Sequence, residues 1–306
     1  MSILPPLMSN GKLKAVIATA MVVACLVLIP CPASAKDVII IKEAAIKPFL
    51  DAIEGFKSAC GCRAEEMALS DENLIRRVEK AHPAAVLAVG TQALEKTANI
   101  EDVPVIYVMV MPSGEAVPPA VNISGVSMDI APETWLKTMT ALFPGINRIG
   151  VLSDADHTGP FVEEAAAAAR ARGITLVVKS ISDPRNAPAL LDEFKNEVDL
   201  FWMLPDPTVV TSETMDYLML FSFQNNIPVF SFSKKYVKNG AAAALAIDPY
   251  DIGAQAGEQY KVLSRGGKGP LQAYARAARL IVNRKVISKM KVQTNNEMLQ
   301  KAEFVE

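Results

Sequence analysis

From Asp37 to Ser233 short apolar runs alternate with segments whose apolar residues recur every three or four positions. "DVIIIK" opens the series as a strand, rich in β-branched residues. "PFLDAIEGFKSA" follows as a helix, with Phe49, Ile53 and Phe56 on one face and a proline near its start. "EEMALS" reads as a weaker strand. "SDENLIRRVEKA" reads as a helix capped at Ser70 or Asp71, with Leu74, Ile75 and Val78 facing inward. "AAVLAV" is a strand, "GTQALEKTA" a turn into a helix, and "VPVIYVMV" a further strand. The order then recurs: strand "RIGVLSD", helix "PFVEEAAAAARARG" closed by Gly173, strand "ITLVVKS", helix "NAPALLDEFKNE", strand "DLFWMLP", helix "SETMDYLMLFSFQNN", strand "IPVFSFS". Most of these strands are apolar nearly throughout, which is what burial on both faces requires. Strand–helix alternation of this kind predicts an α/β fold with parallel sheets covered by helices.

The two series match each other locally. "VPVIYV" parallels "IPVFSF", "AAVLAVGTQA" parallels "DLFWMLPDPT", and "VSMDIAPE" and "LAIDPYDI" both end a strand in an aspartate followed closely by proline, at Asp129 and Asp248. Their shared order and similar spacing predict two similar lobes. When Ala84 is aligned with Asp199, Thr91 falls on Asp206. Both then lie just past the carboxyl end of a parallel strand, where open α/β sheets bind ligands. Asp206 is held between Pro205 and Pro207.

The first residues read differently. Lys12 and Lys14 precede an unbroken apolar stretch, Ala15 to Ile29, and Ala33-Ser34-Ala35 follows. That pattern predicts a secretory signal cleaved after Ala35. "VVAC" at Val22–Cys25 offers a rival, a lipoprotein box acylated at Cys25, but the chain stays apolar beyond it. Retention as an uncleaved anchor is the third reading. Beyond the signal the cysteines are Cys60 and Cys62, in "CGC". A structural role without chemistry, a small disulfide and a metal or redox role are all open to them.

Net charge is −2 over 306 residues, with no long like-charge block, so nothing suggests a nucleic-acid partner. Walker, G-x-G-x-x-G, H-E-x-x-H and G-x-S-x-G motifs are all missing, so no cofactor, metal or nucleophile site is expected. His157 is placed in the loop "SDADHTGP", more readily as a solvated side chain than a functional one. Trp135 and Trp202 are expected in the core. Phe232, Tyr236 and Tyr250 lie near strand ends, where lining a pocket and plain packing are both open.

Several stretches resemble one family. "LDAIEGF", "AVGTQAL", "NISGVSMDIAPETWLKTMTALFPGINRIGVLSD", "LPDPTVV" and "IPVFSFSKKYVKNGAAAALAIDPYDIGAQAGE" are similar to segments of the extracytoplasmic solute-binding components of ABC transporters, in the branch that includes tryptophan and tyrosine binders. The resemblance implies a type I periplasmic-binding fold, two Rossmann-like lobes with parallel sheets joined by three crossovers and closing on a solute. It implies lobe 1 over residues 36–126 plus 249–275 and lobe 2 over 127–248 plus 276–306, after a signal over 1–35. Carried over by position, it implies that Thr91 and Gln92 open a helix whose amide ends receive a carboxylate. It makes Asp206 the partner of a solute ammonium, with Thr208 and Tyr250 nearby; Asp154 and Ser233 complete the candidate ligand-binding set. Departures are Gln92 for a proline, Pro207 for an asparagine, and Phe232-Ser233 for Ser-Asp. The first loop, carrying Lys42, Glu43 and Lys47, lacks the usual small polar residue.

The expectation is therefore a periplasmic or extracytoplasmic substrate-binding component of an ABC transporter, a monomer and not an enzyme. It would capture an amino acid or related small organic molecule and hand it to a membrane permease. The alternative is a sensory or interaction protein that reuses the fold.

Overall fold

The computed structural model describes residues 38–110, 122–267 and 272–305. The expected signal and Cys25 lie outside the described residues.

The first series builds one sheet. Strands β1 (Val38–Lys42), β2 (Ala64–Ala68), β3 (Ala85–Val89), β4 (Val105–Val108) and β5 (Ile123–Val126) alternate with helices α1 (Lys47–Cys60), α2 (Leu74–Ala81) and α3 (Thr91–Thr97). With the short β11 (Gln272–Ala273) they form a six-stranded sheet in the order β11-β5-β4-β3-β1-β2, and every pairing is parallel. The second series builds another sheet. Its strands are β6 (Arg148–Ser153), β7 (Thr175–Ser180), β8 (Leu200–Trp202), β9 (Val229–Ser231), β10 (Ala243–Ile247), β12 (Ala278–Asn283) and β13 (Glu303–Val305). The order is β13-β12-β10-β9-β8-β6-β7, parallel except between β10 and β12. Helices α4 (Pro132–Leu142), α5 (Ala155–Ala171), α6 (Ala187–Asp192), α7 (Ser212–Asn225) and α8 (Lys234–Lys238) accompany it. The chain ends through α10 (Arg284–Met290) and α11 (Asn296–Gln300).

Each sheet has apolar cores on both faces. Val38, Ile40, Leu87 and Ile106 pack on one side of the first sheet, and Ile39, Ile41, Val86 and Val105 on the other. Trp202 and Phe230 of the second sheet share a cluster with Trp135 of α4, whereas Phe201 and Val229 meet Phe194 and Phe221 on the opposite face. Strand residues that alternate between two buried faces account for the continuous apolar runs.

The chain passes between the sheets three times. It leaves the first after Val126, and residues 127–131 lead into α4. It returns after Ile247 through α9 (Pro249–Leu263), which lies along α1, and then crosses again between β11 and β12. The α1–α9 approach is close enough that a Cβ at Gly253 would stand 1.8 Å from the Ala52 carbonyl oxygen, and one at Gly55 1.9 Å from that of Tyr250. Only glycine fits at such backbone contacts. The first and third crossings are laced together: the Ser127 amide donates to the Ala273 carbonyl at 2.8 Å, and the Ala275 amide to the Asp129 carbonyl at 2.9 Å.

Local differences from the expected elements have simple causes. α2 begins at Leu74 behind Asn73, because the Asp71 carboxylate accepts from the Asn73 amide and holds a turn there. α5 begins at Ala155, ahead of Pro160, because Asp154 caps it by accepting from the Asp156 amide at 3.1 Å. His157 therefore stands on the first turn of a helix and not in a loop. α6 is a six-residue helix behind a 3₁₀ turn at Pro184–Asn186. Cys60 and Cys62 are joined by a disulfide across Gly61, which takes the left-handed conformation ending α1 (φ 64°). Among the described residues no helix is long and apolar enough to cross a membrane.

Candidate functional site

The loop after β8 is organised from inside. Asp206 is fully buried, and its two carboxylate oxygens accept four hydrogen bonds. Oδ2 receives the Asp154 amide at 2.8 Å and the Thr158 hydroxyl at 2.6 Å. Oδ1 receives the amides of Thr208 at 3.0 Å and Val209 at 3.3 Å. The Thr208 hydroxyl in turn donates to Asp154 Oδ2 at 2.7 Å. That bond, with the Asp156 amide next in weight, holds the Asp154 carboxyl below the usual carboxylate range. Asp206, Asp154 and Thr208 thus form one internal network that ties the β8–α7 loop to the start of α5. A carboxylate accepting this many donors has little capacity left for another.

In lobe 1, Thr91 and Gln92 open α3 behind Gly90, whose φ of 98° turns the chain off β3. The Gln92 amide donates to the Glu43 carboxylate at 3.0 Å, so a side chain of the first loop already meets this helix end. Gln92 and Glu43 line a wide, shallow depression together with Lys42 and Lys96. Tyr250, 42% exposed, stands on the first turn of α9, where its amide donates to the Asp248 carboxylate.

Beside the carboxyl ends of β8, β9 and β10 lies a cavity of about 440 Å³. Its walls are mainly apolar: Trp135, Phe161, Leu204, Phe232, Leu245 and Ile247 line it, with Met128 and Ile130 from the first crossing. Trp202 supports the wall from behind, 5.6 Å from Trp135 and 5.7 Å from Phe161 between ring centres. Asp129, His157, Thr158, Ser233, Lys234, Arg279 and Glu303 add polar groups. Most of these have partners. Lys234 pairs with Glu303, Arg279 stands 3.8 Å from the Asp248 carboxylate, and Ser233 caps α8 by accepting from the Lys235 amide.

Asp129 differs. Among the described residues its side chain receives the Ser127 hydroxyl alone, at 2.9 Å. Among the described residues no cation is paired with it, and the nearby charge is the like-signed Glu164 of α5, which accepts from the Tyr274 hydroxyl. Burial first, and then Glu164, push the Asp129 carboxyl above the ordinary carboxylate range, against the Ser127 bond. The field of Asp129 reaches Tyr107, whose hydroxyl is raised to about 12, chiefly by burial.

Of the candidates from the sequence, Ser233 lines this cavity. Asp154, Asp206 and Thr208 stand together behind it, and Thr91, Gln92 and Tyr250 stand outside it. The sequence reading passed over Asp129 and set Trp135 aside as core. Trp135 is in fact both, 4% exposed yet part of the cavity wall. The available signal was "VSMDIAPE" itself, an acid at the end of a strand with no basic residue near it. Among the described residues no cluster of three or more His, Cys, Asp or Glu is placed to hold a metal.

A mostly apolar cavity at strand ends, bordered by crossing segments and bearing a few polar groups, is built to take up a small molecule. The family model for ABC transporter substrate-binding proteins matches residues 65–306. No curated protein sequence matches the chain. Among solved structures, the ligand-free, open form of a substrate-binding protein with adhesive properties from Clostridium difficile superposes with a TM-score of 0.71. It is 17% identical, over 89% of this chain and 99% of that one. A conserved domain protein from Vibrio cholerae gives 0.58 at 18% identity, over 89% and 100% of the two chains. An ABC domain in complex with L-Trp from Streptococcus pneumonia gives 0.56 at 17%, over 88% and 100%. At these identities the likeness speaks to the fold, which is that of type I periplasmic-binding proteins. With its family model matched over 65–306, this chain belongs to the ABC transporter substrate-binding protein family.

Proposed function

We propose that the cavity beside β8, β9 and β10 holds the apolar body of a small organic solute, an amino acid or a related molecule. The observation that carries this reading is the wall formed by Trp135, Phe161 and Phe232 around about 440 Å³ at the strand ends of the second sheet. A volume of that order accommodates a side chain as large as an indole with room for a polar head. Among the described residues, the first sheet's side reaches the cavity through the crossing after β5, with Met128, Asp129 and Ile130. Closure of lobe 1 about the three crossings then completes the enclosure, with Thr91, Gln92 and Tyr250 arriving from the opposite side. In this reading Asp206, Asp154 and Thr208 hold the wall in place, and Ser233 is the candidate that meets the solute.

The protein then acts outside the cytoplasm, as a monomer, and passes its solute to a membrane permease without altering it. The family match favours this role over a sensory one.

The test is thermal denaturation of residues 36–306 across a panel of amino acids, amines and small organic acids. A true ligand at 100 times its dissociation constant adds about 2.7 kcal/mol to the stability of the folded state. The expected result is stabilisation by solutes with an aromatic or bulky aliphatic body. A panel without any stabilising member contradicts the reading.

A further inference from the structure

We infer that Asp129 is the group that receives a cationic nitrogen of the solute, and that it sets the charge preference of the cavity. The inference rests on the proposal that this cavity is the solute site, and adds what the site selects.

A carboxylate enclosed by protein is unfavourable unless donors or a cation compensate it. Among the described residues Asp206 has four donors and Asp129 has one. Among the described residues no element around Asp129 supplies it with a cation; Arg276 of the third crossing is paired with Asp251 and Glu258. The first crossing supplies Ser127 alone, and α5 supplies Glu164, an acid. The third crossing supplies Tyr274, whose hydroxyl is turned to Glu164. Strand β4 supplies Tyr107, whose buried hydroxyl has no hydrogen-bond partner among the described residues. The basic groups of the cavity are engaged elsewhere, Lys234 with Glu303 and Arg279 beside Asp248. His157 lines the same cavity and shows no pairing with Asp129.

An acid left short of partners in a cavity walled by aromatic rings has a natural complement, a protonated or quaternary nitrogen on an apolar body. The nitrogen meets the carboxylate, and its substituents meet the rings. The placement also couples recognition to hinge movement. The Asp129 backbone carbonyl accepts from the Ala275 amide, so a cation seated on Asp129 would bind a residue at which the first and third crossings are hydrogen-bonded together.

The experiment uses four probes of similar size: phenethylamine, L-phenylalanine, 3-phenyl-1-propanol and 3-phenylpropionate. The chain has two tryptophans, one lining the cavity and one backing its wall, so intrinsic fluorescence reports occupancy directly. Titrations are run on the wild type and on Asp129→Asn, which keeps an acceptor for Ser127. The inference predicts that both ammonium-bearing probes bind at least tenfold more tightly than the alcohol or the acid. Asp129→Asn removes that preference and leaves the alcohol's affinity unchanged. The variant is also expected to melt no lower than the wild type without ligand, because it loses an uncompensated charge. A wild type that binds the alcohol or the acid as well as the amines overturns the inference while leaving the cavity as the solute site. So does an Asp129→Asn protein that retains the preference. If no probe of any charge alters tryptophan emission, the cavity reading fails as well.

Discussion

Two of the aspartates that follow strands in this molecule, Asp206 and Asp129, stand in opposite surroundings. Asp206 lies on the loop after β8 and is fully buried among four donors. Asp129 lies on the crossing after β5, lines the cavity, and has one donor and a like-charged neighbour. From sequence Asp206 is the better candidate, because two prolines fix it and a family motif contains it. In the fold its oxygens are taken up by donors from its own loop and from the start of α5. On the proposal that Asp129 meets the solute, the difference between the two acids is not rigidity or position at a strand end, but whether the protein itself has already supplied their partners. Linear sequence carries little of that information, since Asp206's donors include Asp154 and Thr158, some fifty positions away.

The contrast is broken most forcefully by Asp206→Ala. It leaves buried amides of the β8–α7 loop and of Asp154 without an acceptor, and should destabilise the protein by on the order of 3 kcal/mol. Urea denaturation checks this. Unchanged stability together with lost solute affinity would restore Asp206 to the binding site.

Next in size is Phe232→Ala. Phe232 is half-buried, lines the cavity and meets the Tyr236 ring at a tilt, 5.2 Å between ring centres. Removing the ring should weaken an aromatic solute about tenfold, with a smaller effect on stability than Asp206→Ala. Calorimetric titration beside a melting curve separates the two effects.

Asp129→Asn tests the other side of the contrast through pH. Folding raises the Asp129 pKa, so between the unfolded and the raised folded value the folded state binds more protons. Its contribution to stability is then present at low pH and falls as pH rises through the folded value. The asparagine variant should match the wild type in acid and gain on it towards neutral pH. Affinity for an ammonium ligand should move the other way in the wild type, weakening as pH falls and Asp129 takes up its proton. Melting curves at a series of pH values provide the check, and a variant that loses stability towards neutral pH would contradict this assignment.

Much of the fold is legible in the sequence. Runs such as "VIIIK" and "AVLAV" announce strands buried on two faces, and the recurrence of strand–helix units announces two sheets. Element edges are less legible where a side chain decides them. Asp154 starts α5 five residues before Pro160, and Asp71 holds a turn that delays α2. The site is the least legible part. The cavity gathers Met128 and Asp129 from one crossing, Phe232 from a strand end, and Arg279 and Glu303 from strands near the carboxyl terminus. Aligning the two halves pairs Thr91 with Asp206, but a cavity on one sheet and its neighbouring crossing breaks that symmetry.

The smallest effect is expected at the Cys60–Cys62 disulfide, which lies at the end of α1 and outside the cavity lining. It closes a loop across a single residue, so reduction releases little chain entropy. Reduction with a dithiol should leave solute affinity unchanged and lower the melting temperature only slightly. A large loss of affinity would show that lobe 1 depends on this link for closure.

The most direct measurement is a crystal structure of the protein with phenethylamine bound. The account predicts the aromatic ring between Trp135, Phe161 and Phe232 and the nitrogen in hydrogen-bond contact with the Asp129 carboxylate, with the Asp206 network unchanged. A ligand nitrogen on Asp206, or a ligand seated outside this cavity, would contradict it.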